Sequence, residues 1–451
     1  MELIMKPIKF FSILFVLTYG MSELRSQNIS DIEVIFKKAS HQNPWLVKEP
    51  IRKITPGIRV GKNSYFTITI PNEKPLFAEL ERSNHSNSKL KVERYDSSIG
   101  FIHLTSDEVF ALPIVKVDSP TAQKICNYKS SDYITFSFSY VPLLAYRSDT
   151  YVDQAQFIIR NGFLCGFQIQ NSIIPTFYME KFLNDKNPFE VPHPGFQFVS
   201  ALTNSELEFY FPSKSKGIVV SQVYPGVGPA FQLFPGDAIT AINGQELNRF
   251  DRIEMGNKAL DLILRSGSKL KAIGDKVSLH ILRNGKPLII NYYLQKYSEE
   301  EFLVPETHPA DTPYYYISGG LFFTELTGNY LKEFGENYRK NSEKKLLYLS
   351  ESYFSKVHPH RERIVLLSRV LPDERNLGYQ EFQDLIVQKV NGSNIFNLKE
   401  LKKAIQANKN EYLTIELSGG KIIILRTDTI REIDTNILNN YKLKYLDNLG
   451  L

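Results

Sequence analysis

Two stretches of this chain close in the same order, and that repetition restricts the folds open to it. The first runs as an apolar strand, Gly217-Ile-Val-Val-Ser-Gln-Val223, then a turn and short helix at Pro225-Gly-Val-Gly-Pro-Ala-Phe-Gln-Leu233. Pro235-Gly-Asp-Ala-Ile-Thr-Ala-Ile-Asn-Gly244 follows as turn, strand and second turn. Residues 277–283 and 288–294 then flank Asn284-Gly285, the strongest short hairpin signal. The second stretch gives a strand at 366–370, a strand at 387–391 ending in Asn391-Gly392, a helix at 398–407 and strands at 412–417 and 422–425. Strand, turn and Asn-Gly recur in one order, so residues 195–297 and 314–430 are read as a divergent internal duplication.

The 451 residues allow roughly three domains at ~100–200 residues each. Residues 28–185 form the first, a β-rich domain. Runs such as Ser64-Tyr-Phe-Thr-Ile-Thr-Ile70, Ile99-Gly-Phe-Ile-His-Leu104 and Tyr133-Ile-Thr-Phe-Ser-Phe138 are separated by turn residues, the pattern of a barrel or sandwich. A terminal helix is expected at residues 174–183, with Pro175 in its first turn. Asn187-Pro-Phe-Glu-Val-Pro-His-Pro-Gly195 is a proline-rich linker, and residues 431–451 read as a loosely attached tail.

Residues 1–26 read as an export signal: Lys6 and Lys9 precede a short apolar run, and small residues follow at Gly20 and Ser26. This predicts a periplasmic or secreted protein; the alternative is an uncleaved membrane anchor. No later run is long and apolar enough to span a bilayer. The 54 basic and 49 acidic residues leave a net charge of +5, too even for a nucleic-acid footprint. Cys126 and Cys165 could pair in an oxidising compartment or stay as buried thiols. Together with eight scattered histidines they give no metal-ligand spacing, so neither metal nor cofactor is expected.

Pro313-Tyr-Tyr-Tyr-Ile-Ser-Gly-Gly-Leu-Phe-Phe323, Asn329-Tyr-Leu-Lys-Glu-Phe-Gly-Glu336, the 367–379 segment, Val390-Asn-Gly392 and Asn397-Leu-Lys399 resemble, in order and spacing, the plant-type Deg branch of the HtrA serine proteases. Residues 216–244 resemble a PDZ domain of the HtrA kind. Ser40-His-Gln-Asn-Pro-Trp45 and the 174–183 helix resemble, more faintly, the edges of that family's protease domain. The resemblance implies a mainly β architecture: a degenerate, chymotrypsin-like double β-barrel followed by two PDZ-like α+β domains. It also implies capture of peptide C-termini by strand addition at a sheet edge, with a backbone nest for the carboxylate. Gly195-Phe-Gln-Phe198 matches the carboxylate loop, so Gly195, Phe196, Gln197 and Phe198 are the candidate peptide-binding residues. The competing reading makes Phe196 and Phe198 core residues of a closed groove. In the family the third domain mainly serves packing and assembly.

A serine protease needs a His base, a buried Asp that orients it, and a Ser on a Gly-rich turn with oxyanion donors. Where the resemblance places the His, this chain has Ile70; where it places the Asp, it has Ser98, with Asp96 two residues earlier. The nucleophile region corresponds to residues 152–162, Val152 to Gly162, which hold no Ser and no Gly-Gly. Gly-x-Ser-x-Gly occurs nowhere in the chain. His41, His85, His103 and Ser148 offer no alternative constellation by spacing. The expectation is an inactive, exported HtrA/Deg-like protein that binds protein or peptide C-termini. The alternatives are an active serine endopeptidase with an unrecognised triad, or a regulatory subunit of an active paralogue. Phe36 and Trp45 match the aromatic N-terminal segment through which the family trimerises, and imply a homo-oligomer.

Overall fold

In the computed structural model the described residues are 28–450, except 47, 70–74, 82–86, 97, 129–132, 139–140, 185–189, 213–215, 252–253, 268, 300–301, 307–311 and 353–361. The leader expected at 1–26 lies outside them, as do Ile70 and His85. No helix among them is long and apolar enough to cross a membrane.

Strands β1 (Ile29–Phe36), β2 (Ile51–Gly61), β3 (Ser64–Ile68), β4 (Pro75–Glu81), β5 (Asn87–Asp96) and β6 (Phe101–Thr105) close into a barrel of order β1-β2-β3-β6-β5-β4. Side chains alternate across a strand, so β3 and β6 serve two cores. Tyr65, Ile102 and Leu104 fill the barrel with Ile32, Val34, Phe36 and Leu90. Phe66, Ile68 and Phe101 face outward onto the next layer. A Cβ at Gly57 would overlap the Ile32 side chain inside the barrel, so a larger residue there would force Ile32 to move.

That next layer holds α1 (Ser119–Cys126), β7 (Tyr133–Phe138), β8 (Val141–Arg160), β9 (Phe163–Pro175) and α2 (Thr176–Asn184). Helix α1 is capped by Asp118, which accepts from the Thr121 N–H at 3.0 Å. Pro175 ends β9, and α2 begins one residue later. Cys126 and Cys165 form a disulfide, with Cα atoms 6.0 Å apart, that pins α1 to β9. Among the described residues this layer is a three-stranded sheet, β7-β8-β9, rather than a second six-stranded barrel. Residues 152–162 explain the reduction. They continue the long strand β8, through register shifts against β9, into a tight hairpin, where a barrel would fold back through several shorter strands.

The first repeat unit contains β10 (Pro192–His193), β11 (Phe196–Val199), α3 (Asn204–Tyr210), β12 (Ile218–Val223), β13 (Ala238–Ile242), β14 (Gln245–Glu246), α4 (Met255–Leu264), β15 (Arg265–Ser266), β16 (Lys269–Leu270), β17 (Lys276–Arg283), β18 (Lys286–Tyr293) and β19 (Gln295–Lys296). Its main sheet runs β11-β12-β13-β17-β18, and α4 covers one face through Met255, Ala259, Leu260 and Ile263. Asn284 and Gly285 both take positive φ, which closes the β17–β18 hairpin as its sequence predicts.

The second unit contains β20 (Tyr315–Ser318), β21 (Leu321–Glu325), α5 (Gly328–Lys332), α6 (Tyr338–Asn341), α7 (Lys344–Ser352), β22 (Val365–Val370), β23 (Leu385–Val390), β24 (Ser393–Asn394), α8 (Leu398–Gln406), β25 (Tyr412–Leu417), β26 (Ile422–Arg426) and α9 (Ile430–Asn440). Its sheet runs β20-β21-β22-β23-β25-β26. With β20 set aside, this is the order of the first unit, with α8 in the place of α4. The C-terminal residues are not a loose tail. Ile433 and Ile437 of α9 are fully buried against Tyr315, Ile317 and Phe322, and Leu443 and Leu449 are buried beyond them. Hydrophobic spacing at 433 and 437 lays one face of α9 on the sheet end.

Phe36 and Trp45 both make contacts within the chain. Phe36 lies inside the barrel. Trp45, in the segment after β1, meets Phe322 edge-on at 5.0 Å and Tyr315 at 6.4 Å. Lys48 pairs with Glu333 at 2.6 Å and the His41 N–H donates to the same carboxylate at 3.1 Å, so this segment ties the barrel to the second unit.

Candidate functional site

Two places matter: the barrel end where protease chemistry would sit, and the cleft of the first repeat unit. At the barrel end the Thr69 N–H donates to the Gly100 carbonyl at 2.8 Å, which brings the end of β3 beside the β5–β6 turn. The expected base position, residue 70, lies outside the described residues. The acid position is occupied by a closed local motif. Asp96 Oδ1 accepts from the Ser98 hydroxyl at 2.5 Å, the Ser98 N–H at 2.9 Å and the Ile99 N–H at 3.1 Å. Burial raises the Asp96 pKa, and those hydrogen bonds oppose the rise. The carboxylate thus organises its own turn.

The nucleophile region is a strand and a two-residue turn. Arg160 pairs with Phe163 across Asn161 (φ 51°) and Gly162 (φ 76°). The Lys116 N–H donates to the Gly162 carbonyl at 2.8 Å, which fastens this turn to the segment before α1. Between Val152 and Gly162 no hydroxyl nucleophile occurs.

One serine–histidine contact was not read from the sequence. Ser64 Oγ lies 2.7 Å from His103 Nε2, with the two residues on adjacent strands β3 and β6. Burial lowers the His103 pKa, and the nearby Arg94 charge adds to that. Ser64 opens β3 opposite Gly61, beside a register shift, and opposite Thr105, and does not lie on a Gly-rich turn that could aim paired N–H groups at an oxyanion. No carboxylate hydrogen-bonds His103 among the described residues, so the ring has no orienting acid. Ser148, expected in a loop, lies within strand β8 and accepts from Gln168 at 2.9 Å, and His41 is buried where the barrel meets the second unit. Among the described residues no group of His, Cys, Asp and Glu is arranged to hold a metal ion.

The cleft of the first unit lies between the edge strand β11 and helix α4, with a volume of about 370 Å³. His193, Gln197, Phe198, Gly256 and Leu260 line it, and Ser137 and Pro142 of the β7–β8 hairpin stand at its mouth. Of the four residues chosen from sequence, Gly195 is a conformational requirement. Its φ is +87°, and a Cβ there would lie 2.6 Å from the Val227 carbonyl. Its N–H donates to His193 Nδ1 at 2.9 Å. Phe196 is only 3% exposed and belongs to the core with Leu260 and Ile263, so its side chain is a packing element. Phe198 is half-buried, 6.2 Å from Phe196. The Gln197 amide donates to the Tyr224 hydroxyl. At Gly256 a Cβ would lie 2.7 Å from Ser200 Oγ, so the start of α4 and the end of β11 approach as closely as glycine allows. His193 and Gly256 were missed from sequence. The only signal for either was the proline on both sides of His193.

The PDZ domain family matches residues 304–445. The mitochondrial Do-like 3 protein of Arabidopsis thaliana is 27% identical over 286 residues, which are 62% of this chain and 48% of that protein. Protease Do-like 2, chloroplastic, from the same plant is 27% identical over 281 residues, 60% of this chain and 44% of the relative. The chain thus spans about half the length of the curated relatives it matches. Among solved structures, the HtrA-type protease AlgW with decapeptide aligns with a TM-score of 0.39 at 15% identity, covering 60% of this chain and 96% of that one. The serine endoprotease from Yersinia pestis aligns at 0.35 and 14%, with 60% and 96% covered. Barrel, paired repeat units and relatives converge: this chain is a homologue of the HtrA/Deg-family proteases and carries a PDZ domain.

Proposed function

We propose that this chain is a catalytically inactive HtrA/Deg-type protein that binds protein or peptide C-termini in the cleft between β11 and α4, as a binder or scaffold. The observation that carries the first half is the Asn161-Gly162 hairpin, where a serine on a Gly-rich turn would be required. Ile70 and Ser98 at the positions of base and acid support it. Without nucleophile and oxyanion donors there is nothing to accelerate acyl transfer. The mature chain is expected to leave casein intact and to take no label from a serine-directed fluorophosphonate. Digestion together with covalent labelling of this chain would establish an active endopeptidase instead.

The edge strand β11 and the positive-φ Gly195 support the second half, since an extended peptide adds to such an edge with its carboxylate in a backbone nest. A peptide with a free, apolar C-terminus should bind with micromolar Kd, ~8 kcal/mol. Amidation should remove most of that affinity; equal binding of both forms would mean that the cleft is closed. The proposed setting is the periplasm or cell exterior, reached through residues 1–26. The Cys126–Cys165 disulfide supports an oxidising compartment. In that setting partners can include further copies or an active relative, and affinity capture from cell envelopes distinguishes a free-standing binder from a regulatory subunit.

A further inference from the structure

A cavity of about 500 Å³ lies where the N-terminal domain meets the first repeat unit, and it is larger than the cleft between β11 and α4. One wall belongs to the N-terminal domain: Gln123 of α1, Tyr128, Tyr133 of β7, Tyr146 of β8 and Lys181 of α2. The facing wall is the β15–β16 hairpin with the residue after it, contributing Arg265, Lys269, Leu270 and Lys271. Small-molecule sites are typically ~300–1,000 Å³ and favour such domain junctions. The walls are held in place. The Lys271 N–H donates to the Leu264 carbonyl at 2.8 Å, which fastens the hairpin to the end of α4. Leu144 of β8 is part of the first unit's core, and Leu270 packs against the core of the N-terminal domain.

We propose that this cavity is a binding site for a small aromatic carboxylate, with the ring against the tyrosine wall and the acid group at the basic hairpin. It shares no lining residue with the cleft between β11 and α4.

The tyrosine wall is the first support. Tyr146 stacks on Tyr128 at 4.4 Å and on Tyr133 at 4.7 Å, and the Arg265 guanidinium lies 5.0 Å from the Tyr133 ring. An aromatic ligand gains offset or edge contacts with such rings beyond the area it buries. Burial raises the pKa of all three tyrosines, so the phenols stay protonated and can donate to an anion. The Tyr133 and Tyr146 hydroxyls lie 3.1 Å apart, while that of Tyr128 has no hydrogen-bond partner among the described residues.

Charge is the second. Four cations line the cavity, Lys181, Arg265, Lys269 and Lys271, against one carboxylate, Glu190, which Lys296 faces at 3.6 Å. The three lysines make no ion pair among the described residues. Lys271 is buried, and its ammonium donates to the Lys276 carbonyl at 3.1 Å. Burial lowers its pKa, and the Asp275 charge opposes the fall. Arg265 turns Nε and Nη2 toward Asp261, which leaves Nη1 buried without a hydrogen-bond partner among the described residues. Buried cations that lack a counter-charge are costly, and a bound carboxylate supplies one. Because the ring contacts come from the N-terminal domain and most of the charge from the first repeat unit, a bound acid bridges the two.

The test uses the full chain with 2-naphthoate. The neutral 2-naphthamide and the non-aromatic cyclohexanecarboxylate serve as comparisons. Calorimetry should show one equivalent of naphthoate bound, and both comparison compounds binding at least tenfold more weakly. Lys269→Met, at an exposed position, and Tyr128→Leu should each weaken naphthoate at least threefold, and Lys269→Met should leave naphthamide unchanged. Bound naphthoate should slow amide exchange at residues 269–272 and in α1, and leave β11 as it was. Photolysed 4-azidobenzoate should label residues 119–128 and 265–272, and naphthoate should suppress both labels. No binding at millimolar naphthoate would overturn the proposal. So would either comparison compound binding as tightly as naphthoate, or labels confined to β11 and residues 255–260, which would put the acid in the peptide cleft. If Tyr128→Leu does not fold, the preference for naphthoate over naphthamide and its loss in Lys269→Met decide the matter.

Discussion

Asp237 is 2% exposed and holds the turn before β13. Its Oδ2 accepts the Phe234 N–H at 2.8 Å, while Arg283 donates from Nε at 2.8 Å and from Nη2 at 2.6 Å, stacked 4.6 Å over the Phe234 ring. A buried carboxylate left without its cation is costly, so Arg283→Met should cost ~3 kcal/mol in urea unfolding. Arg283→Lys should recover only part, because an ammonium cannot form the fork. A loss under 1 kcal/mol in Arg283→Met would show that the turn tolerates a lone charge. The Gly-Asp turn was legible in the sequence; its partner 46 positions away was not, since nothing local links them. The same limit applies at the barrel end. Residue types at 70 and 98 are read from sequence, but Asp96 serving its own turn is a matter of geometry. Installing Ile70→His with Ser98→Asp should therefore yield no phosphonyl-enzyme, checked by mass after fluorophosphonate treatment. A labelled double variant would place the nucleophile elsewhere, and Ser64 beside His103 would be the first residue to replace.

Among the elements, α1 depends most on a single link. It buries Ala122 and Cys126, and its disulfide to β9 closes a loop with a sequence separation of 39. The chain-entropy relation gives about 4 kcal/mol for a loop of that size. Cys126→Ser with Cys165→Ser should lower the stability of the N-terminal domain by roughly 2–4 kcal/mol, seen as a reductant-sensitive melting temperature in the wild type only. No change on reduction would mean that α1 is held by packing alone. The elements also show which signals sequence carries. Asn284-Gly285 announces its hairpin, and Asn161-Gly162 offers the same signal, hidden by the expectation of a catalytic turn. α9 carried apolar residues at 430, 433 and 437, a helix face read too readily as a tail. β20 is different in kind. Tyr-rich sequence marks a strand, but nothing in it says that the strand will occupy the edge that stays open in the first unit.

At the scale of the whole molecule the two repeat units are joined by a shared core. Tyr224 and Val227 of the first pack with Phe302, Leu303 and Val304 of the connection and with Leu326, Tyr330 and Ile364 of the second. Glu299 sits on this seam. It accepts from the Tyr297 hydroxyl at 2.8 Å and from the Glu306 N–H, while the Glu306 carboxylate pairs with Lys332 at 2.6 Å. Burial pushes the Glu299 carboxyl up to about 7, and the Glu306 charge adds to the rise while Lys332 and the two hydrogen bonds oppose it. A folded pKa above the unfolded one means that the native state binds the proton more tightly. The stabilisation is complete below the ordinary glutamate range and is lost as pH climbs through about 7. Asp434, pushed up to about 6, acts in the same direction at the far end of the second unit. Stability should therefore fall between pH 5 and 8, by ~2 kcal/mol from Glu299. Glu299→Gln, neutral at every pH, should flatten that part of the slope and melt higher than the wild type at pH 8, with exchange at residues 302–304 slowed. Identical pH slopes in the two proteins would show that the seam accommodates the charged carboxylate, and that the hydrogen bonds from Tyr297 and Glu306 outweigh its burial.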